Sequence, residues 1–273
     1  MRAMTTARLA PRTALFLPAS NPRAIAKART LDADMVILDL EDAVRAADKA
    51  DARAAAVAAV AEGFGHRLCA IRINGVESPE HEADLAAVAG STCDFVVVPK
   101  VETAADAAGI AEAAGRPSLA MIETPLGVLA AAEIAAVPGV GGLIAGVNDL
   151  RATLGIPDGA GRDGLALSLQ MIVLAARASE IWALDGVFNA LDDAEGLAAE
   201  SRHGRLLGFD GKSLIHPGQI AVAAHAFGPS DRELAEAQAL IEAATGGAER
   251  FGDRMIEAMH VAQARALIER RRL

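Results

Sequence analysis

Met121-Ile122-Glu123-Thr124 and Gly146-Val147-Asn148-Asp149-Leu150 decide how this chain is read. Each closes a short apolar run, 118–124 and 142–150, in which polar residues do not alternate. Continuous apolar character is expected of strands covered on both faces. Six further runs of the same kind occur at 13–19, 35–41, 67–74, 94–102, 181–188 and 207–216. The stretches between them carry helical spacing, as at 48–62, 78–88, 103–114 and 164–179. Thr103, followed three residues later by Asp106, is a candidate helix N-cap. Strand and helix alternating eight times predict a (β/α)8 TIM barrel. The barrel is expected over 1–228, with a C-terminal helical extension over 229–273. Two helices, 230–245 and 254–272, are expected in that extension, joined at Gly246-Gly247.

An open nucleotide-binding sheet would place a glycine-rich turn after its first strand. Here the first strand runs into Pro18-Ala19-Ser20-Asn21-Pro22-Arg23 instead. The glycines at 139, 141 and 142 precede a strand, so they form no dinucleotide loop. The net charge of −10 argues against a nucleic-acid partner, which needs a basic face. Only 3% of residues are aromatic, too few for a base-stacking platform. No run approaches the roughly 20 apolar residues that span a bilayer. Cys69 and Cys93 are too few for a disulfide framework and read as small buried hydrophobes, which suits the cytoplasm. Arg2, Arg8 and Arg12 precede any acid, a weak likeness to a transit peptide; a ragged lead into the first strand is the preferred reading.

Polar groups follow the apolar residues of most strands: Asp39, Glu41 and Asp42; Arg72 and Asn74; Lys100 and Glu102; Glu123; Asp149; Asp210, Lys212 and His216. A single acid at such a place can simply cap the next helix. A succession of charged strand ends makes that reading weaker, because an unpaired buried charge is expensive. Parallel barrels aim these ends at one face, where active sites form. Glu123 and Asp149, without matching His or Cys ligands, suit a hard divalent cation such as Mg²⁺. Arg72 would fork onto a carboxylate or enolate oxygen in the same pocket. Glu41 and Asp42 would hold water or orient Arg72, and Asp39 reads as structural. Lys100 would neutralise substrate or pair with Glu102. Arg23 and Lys27, after the first strand, would meet a phosphate, though a solvated helix face explains them equally well. The six histidines show no zinc spacing.

The motifs at 15–23, 36–44, 72–75, 98–102, 121–128, 146–150 and 208–220, in that order, resemble the citrate lyase beta-subunit family of the HpcH/HpaI aldolase superfamily. Malyl-CoA and citramalyl-CoA lyases are among its relatives. The resemblance runs from about residue 13 to the C-terminus. It implies a TIM barrel, Mg²⁺ held by Glu123 and Asp149, and Arg72 as the arginine that binds the substrate carboxylate and stabilises the enolate. It also implies a homo-oligomer, trimer or hexamer, in which an acid from a neighbour's C-terminal segment completes the site. Met255-Ile256-Glu257 matches that segment, with Glu where the lyases carry Asp.

The implied activity is carbon–carbon cleavage of a 3-hydroxyacyl thioester of the malyl, citramalyl or citryl class, releasing a 2-oxo acid and an acyl thioester. Alternatives are the beta subunit of a citrate lyase complex acting on a carrier-protein thioester, a metal aldolase on plain oxo acids, and a non-catalytic barrel that only binds oxo acids.

Overall fold

The computed structural model describes residues 9–157 and 159–271. Arg2 and Arg8 of the leader reading, and Arg272 at the end of the expected last helix, lie outside the described residues.

Eight parallel strands close into a barrel: β1 (Thr13–Pro18), β2 (Met35–Asp39), β3 (Leu68–Arg72), β4 (Phe95–Val98), β5 (Ser118–Ile122), β6 (Val140–Ala145), β7 (Trp182–Asp185) and β8 (Gly211–Leu214). β8 returns to β1 through Thr13 beside Lys212 and Leu15 beside Leu214. Every strand pairs with its sequence neighbour, as the alternating pattern predicts. The strands are shorter than their apolar runs at the C-terminal end. Residues just past the strand ends, such as Leu40 and Ile73, and Val147 at a helix start continue the apolar pattern because they pack in the outer core.

Side chains alternate between two layers. Met35, Ile37, Ala70, Val97, Leu119 and Ile144 fill the barrel interior, where the rings of Phe95 and Trp182 meet with centroids 5.0 Å apart. Val36, Leu38, Ile71, Val96, Ile122 and Leu143 face outward into the larger layer beneath the helices. Truncating a fully buried member such as Ile37 to Ala would cost about 2–5 kcal/mol. The interior tolerates a tryptophan because β6 carries Gly142 opposite it; a Cβ there would sit 3.0 Å from both Trp182 and Leu119.

The helices are α1 (Pro22–Ala28), α2 (Lys49–Glu62), α3 (His81–Ala89), α4 (Ala104–Ala114), α5 (Pro125–Leu129), α6 (Ala131–Ala135), α7 (Val147–Leu154), α8 (Ala166–Ala178), α9 (Ala194–Leu207) and α10 (Ile220–Phe227). Several begin at sequence-encoded caps. Asn21, Thr103 and Thr124 accept the amides of Ala24, Asp106 and Gly127, each with a side-chain oxygen. Pro22 and Pro125 occupy first-turn positions, where a missing N–H costs nothing.

The extension departs from the expectation. α11 (Asp231–Ala243) and α12 (Ala258–Arg270) are not joined by a bare glycine turn. An antiparallel hairpin, β9 (Glu249–Phe251) and β10 (Arg254–Ile256), stands between them. Ala237, Leu240, Ile256 and Ala264 form a small apolar cluster within the extension. Arg205 of α9 pairs with Glu233 of α11 at 2.7 Å, and Arg270 donates to the carbonyl of Asp210, tying the extension to the barrel. Among the described residues no helix is long and apolar enough to cross a membrane. Cys69 and Cys93 are free and buried, and burial raises both thiols.

Candidate active site

The strand register builds the site. Asp39 of β2 lies beside Arg72 of β3, and both point inward, in phase with Met35, Ile37 and Ala70. Arg72 donates through Nε to Asp39 Oδ1 and through Nη2 to Asp39 Oδ2, both at 2.7 Å. Its Nη1 lies 3.0 Å from Glu41 Oε2, and its guanidinium stacks over the ring of Phe16 at 5.0 Å. Burial alone would lower the arginine pKa. The hydrogen bonds to Asp39 and the charges of Asp39, Glu41 and Asp42 outweigh that and raise it. Arg72 is therefore a fixed cation, aimed by two buried carboxylates.

Asp39 thus positions the arginine, and reading it as merely structural understated it. A period-two count from Met35 through Ile37 to Asp39 gives its inward direction and would have found it. Asp39 also accepts the amides of Glu41 and Ala43, at 2.9 and 3.1 Å, which folds the end of β2 around the guanidinium.

Glu123 follows β5 by one residue and is 4% exposed. The helix-cap alternative fails for it, because Thr124 caps α5. Its Oε1 accepts the backbone amide of Lys100 at 2.8 Å. Burial first, then the charges of Glu41 and Asp149, push its pKa up to about 7. Glu41 is also raised, chiefly by burial, and its Oε2 has no hydrogen bond despite the ion pair with Arg72. The chain makes room for Glu123 with Gly146, where a Cβ would fall 2.2 Å from the Glu123 Cβ.

Asp149 does not end a strand. β6 stops at Ala145, and Asp149 sits in the first turn of α7, with 40% of its side chain exposed. Lys100 bridges the acids, with Nζ 3.6 Å from Glu41 Oε1 and 3.6 Å from Asp149 Oδ2. The expected pairing with Glu102 is not what the lysine makes.

A cleft of about 370 Å³ opens at the C-terminal end of the barrel, lined among others by Phe16, Asp39, Asp42, Arg72, Glu123 and Asp149, with Glu41 and Lys100 beside it. Among the described residues no three His, Cys, Asp or Glu side chains form a complete metal cage. Two carboxylates and an open cleft still fit Mg²⁺, which keeps several waters and takes few protein ligands. Burial, then the crowding of Glu41 and Asp149, disfavours charge on Glu123, and a cation would relieve both.

Other expected residues fall elsewhere. Arg23 and Lys27 are exposed on α1 and do not line the cleft. Glu257 is exposed at the start of α12, where its amide donates to His260 Nδ1, and it too lies off this chain's cleft. Asp210 precedes β8, at the opposite end of the barrel, and pairs with Arg177. Lys212 points outward. It is fully buried and bonded to Asp185, Glu200 and the carbonyl of Gly186. His216 caps a short turn by accepting from Gly218.

A family described as HpcH/HpaI aldolase/citrate lyase matches residues 12–217. A (3S)-malyl-CoA thioesterase of Cereibacter sphaeroides is 41% identical over 263 residues, covering 93% of this chain and 92% of that protein. A citrate lyase subunit beta-like protein of Deinococcus radiodurans is 36% identical, covering 94% and 96%. The crystal structure of protein CitE from Mycobacterium tuberculosis in complex with magnesium, acetoacetate and coenzyme A superposes with a TM-score of 0.82 at 37% identity, covering 99% of each chain.

Proposed function

The chain belongs to the HpcH/HpaI aldolase/citrate lyase family, and from that premise we propose that it is a Mg²⁺-dependent carbon–carbon lyase acting on a malyl-, citramalyl- or citryl-type thioester. The observation that carries this reading is the pairing of a fixed guanidinium, Arg72, with two crowded carboxylates, Glu123 and Asp149, around one cleft. A site that only bound an oxo acid would have no use for a buried arginine aimed by two further acids.

Mg²⁺ held by Glu123 and Asp149 would supply Lewis-acid neutralisation of the oxo-acid half of the substrate. The protein's own residues do the rest. Glu41, its pKa raised chiefly by burial, takes the proton of the substrate hydroxyl through Oε1, the oxygen turned away from Arg72 toward Lys100. The bond between the hydroxyl-bearing carbon and the carbon next to the thioester carbonyl then breaks. The hydroxyl carbon leaves as the keto or aldehyde carbon of a 2-oxo acid, and the electron pair passes to the thioester as an enolate. Arg72 meets the charge on the enolate oxygen, and Asp39 holds the guanidinium in place for it. Asp42, exposed on the rim, orders water beside Arg72. Glu257 of a second copy returns a proton to the enolate carbon, which requires a homo-oligomer, trimer or hexamer. Lys100 offsets substrate charge at the rim, and Arg23 and Lys27 meet the phosphates of CoA, whose thioester we favour over a carrier-protein one.

A second reading, hydrolysis of the thioester, is favoured by the 41% identity to a protein named (3S)-malyl-CoA thioesterase. One product analysis separates the two. Malyl-, citramalyl- and citryl-CoA are incubated with the protein, each with and without EDTA. The lyase reading expects a 2-oxo acid and a shorter acyl-CoA, abolished by EDTA. Free CoA and the intact hydroxy acid would replace it with the hydrolase, and no turnover of any of them would overturn both.

A further inference from the structure

Lys100 is one residue that reaches three acids. Its backbone N–H donates to Glu123 Oε1 at 2.8 Å, while its ammonium stands 3.6 Å from Glu41 Oε1 and 3.6 Å from Asp149 Oδ2. It does so from a left-handed backbone, with φ of 51°. Among the described residues only Lys100 and Glu180 adopt a positive φ without being glycine. That conformation costs a side-chain-bearing residue roughly 1–2 kcal/mol, which glycine would avoid. A glycine here would keep the amide bond to Glu123 and lose the ammonium. The lysine thus stands at a local cost, with its charge between the acids.

The bonds it makes are of an exchangeable kind. Lys100 is 49% exposed, Asp149 40% and Glu41 11%, and neither contact is a close hydrogen bond. The pair with Asp149, exposed on both sides, is of the weak kind, and the long contact to Glu41 holds the ammonium by charge alone. The Arg72–Asp39 pair beside them is its opposite, 12% and 2% exposed and doubly bonded at 2.7 Å. Of the two cations at the acids, Arg72 in the cleft is locked and Lys100 beside it can leave.

We propose that Lys100 is the internal counter-cation of the mouth: it neutralises Glu41 and Asp149 in the cation-free protein, and a divalent cation arriving at Asp149 displaces it. The displaced ammonium turns to the open rim, where it faces an incoming anionic substrate. Loading of the cation is then an exchange of one positive charge for another, and it presents a freed ammonium only once the site is filled. This rests on the reading of Glu123 and Asp149 as the ligand pair.

Two measurements on the full chain test it, with Mn²⁺ as the probe. The first is Mn²⁺ affinity, by electron paramagnetic resonance of free ion, for the wild type, Lys100→Met, Lys100→Arg and Glu123→Gln. Removing the competitor should tighten binding in Lys100→Met by roughly three- to tenfold, the equivalent of two weak ion pairs. Lys100→Arg should stay within about twofold of the wild type, and Glu123→Gln should lose most of the affinity. The second is acylation of Lys100 by an amine-reactive ester, read by mass spectrometry with and without Mn²⁺. Labelling should rise severalfold when Mn²⁺ is present, and this readout needs no variant. Equal affinities of wild type and Lys100→Met, or labelling indifferent to Mn²⁺, would overturn the exchange while leaving the ligand pair standing. Mn²⁺ binding that is absent, or unaltered in Glu123→Gln, would overturn the ligand pair and the exchange with it.

Discussion

Replacing Asp39 by asparagine tests the arginine clamp with the least change of shape. The carboxylate accepts four donors: Arg72 Nε, Arg72 Nη2, and the amides of Glu41 and Ala43. An asparagine oxygen at Oδ1 keeps two of them. Its amide nitrogen then faces Arg72 Nη2 and the Ala43 N–H, so two donors meet a third. Breaking one side of a buried ion pair costs about 3–5 kcal/mol. Glu41, 3.0 Å from Nη1, still compensates part of the charge, so we expect a loss near the lower end, about 3 kcal/mol. That is a large share of the stability of a typical domain, yet it leaves the protein folded. Urea unfolding of wild type, Asp39→Asn, Arg72→Met and the double variant measures it, with a coupling energy of at least about 2 kcal/mol expected between the two sites. In the product assay, Asp39→Asn should lower kcat by about 10²-fold and move KM less, because the misaimed guanidinium is needed mainly as charge develops. A loss under about 0.5 kcal/mol, or additive single effects, would refute the clamp.

Glu123 gives a pH dependence. Its folded pKa of about 7 lies above the ordinary 4.5, so the folded protein holds that proton more tightly than the unfolded chain. Its stabilising contribution is complete below the ordinary value and is lost as pH rises through about 7. In EDTA, stability should fall by about 3 kcal/mol between about pH 4.5 and pH 7.5, and Glu123→Gln should flatten that slope. Gly146→Ala should displace Glu123, since the new Cβ would fall 2.2 Å from the glutamate Cβ; we expect at least about a tenfold loss of turnover with the circular dichroism unchanged. Arg162→Met removes a guanidinium, 10% exposed, from Asp185, which Lys212 alone then neutralises. A loss of about 3 kcal/mol in urea unfolding is expected, and a wild-type midpoint would mean that Lys212 suffices.

The barrel was legible because its evidence is long and repeated. Eight apolar runs with helical stretches between them leave few other ways to bury both faces of each strand. What the pattern concealed was local. Apolarity does not mark where a ladder stops, so β6 was expected to run on to Asp149, whereas α7 has already begun at Val147. The hairpin at Glu249–Phe251 and Arg254–Ile256 is short, with only Ile256 buried, and it carries little apolar signal. Glu123, Asp149, Arg72 and Asp42 do meet in one cleft, with Glu41 paired to Arg72 beside it. The partner of Lys100 was misjudged because sequence nearness favours Glu102, while the left-handed turn at Lys100 sends the ammonium toward Glu41 and Asp149. Lys212 and Asp210 read as mouth residues by their motif. Strand phase turns Lys212 outward, and Asp210 lies before the strand begins.

A cation gripped by Glu123 and Asp149 is central to the proposed chemistry. Crystals soaked in Mn²⁺ and measured at its absorption edge give the most direct answer. We expect one anomalous peak within direct bonding distance of an oxygen of each carboxylate, and its disappearance in Glu123→Ala. A cleft without such a peak, or a peak bound by other side chains and unmoved in that variant, would contradict the claim.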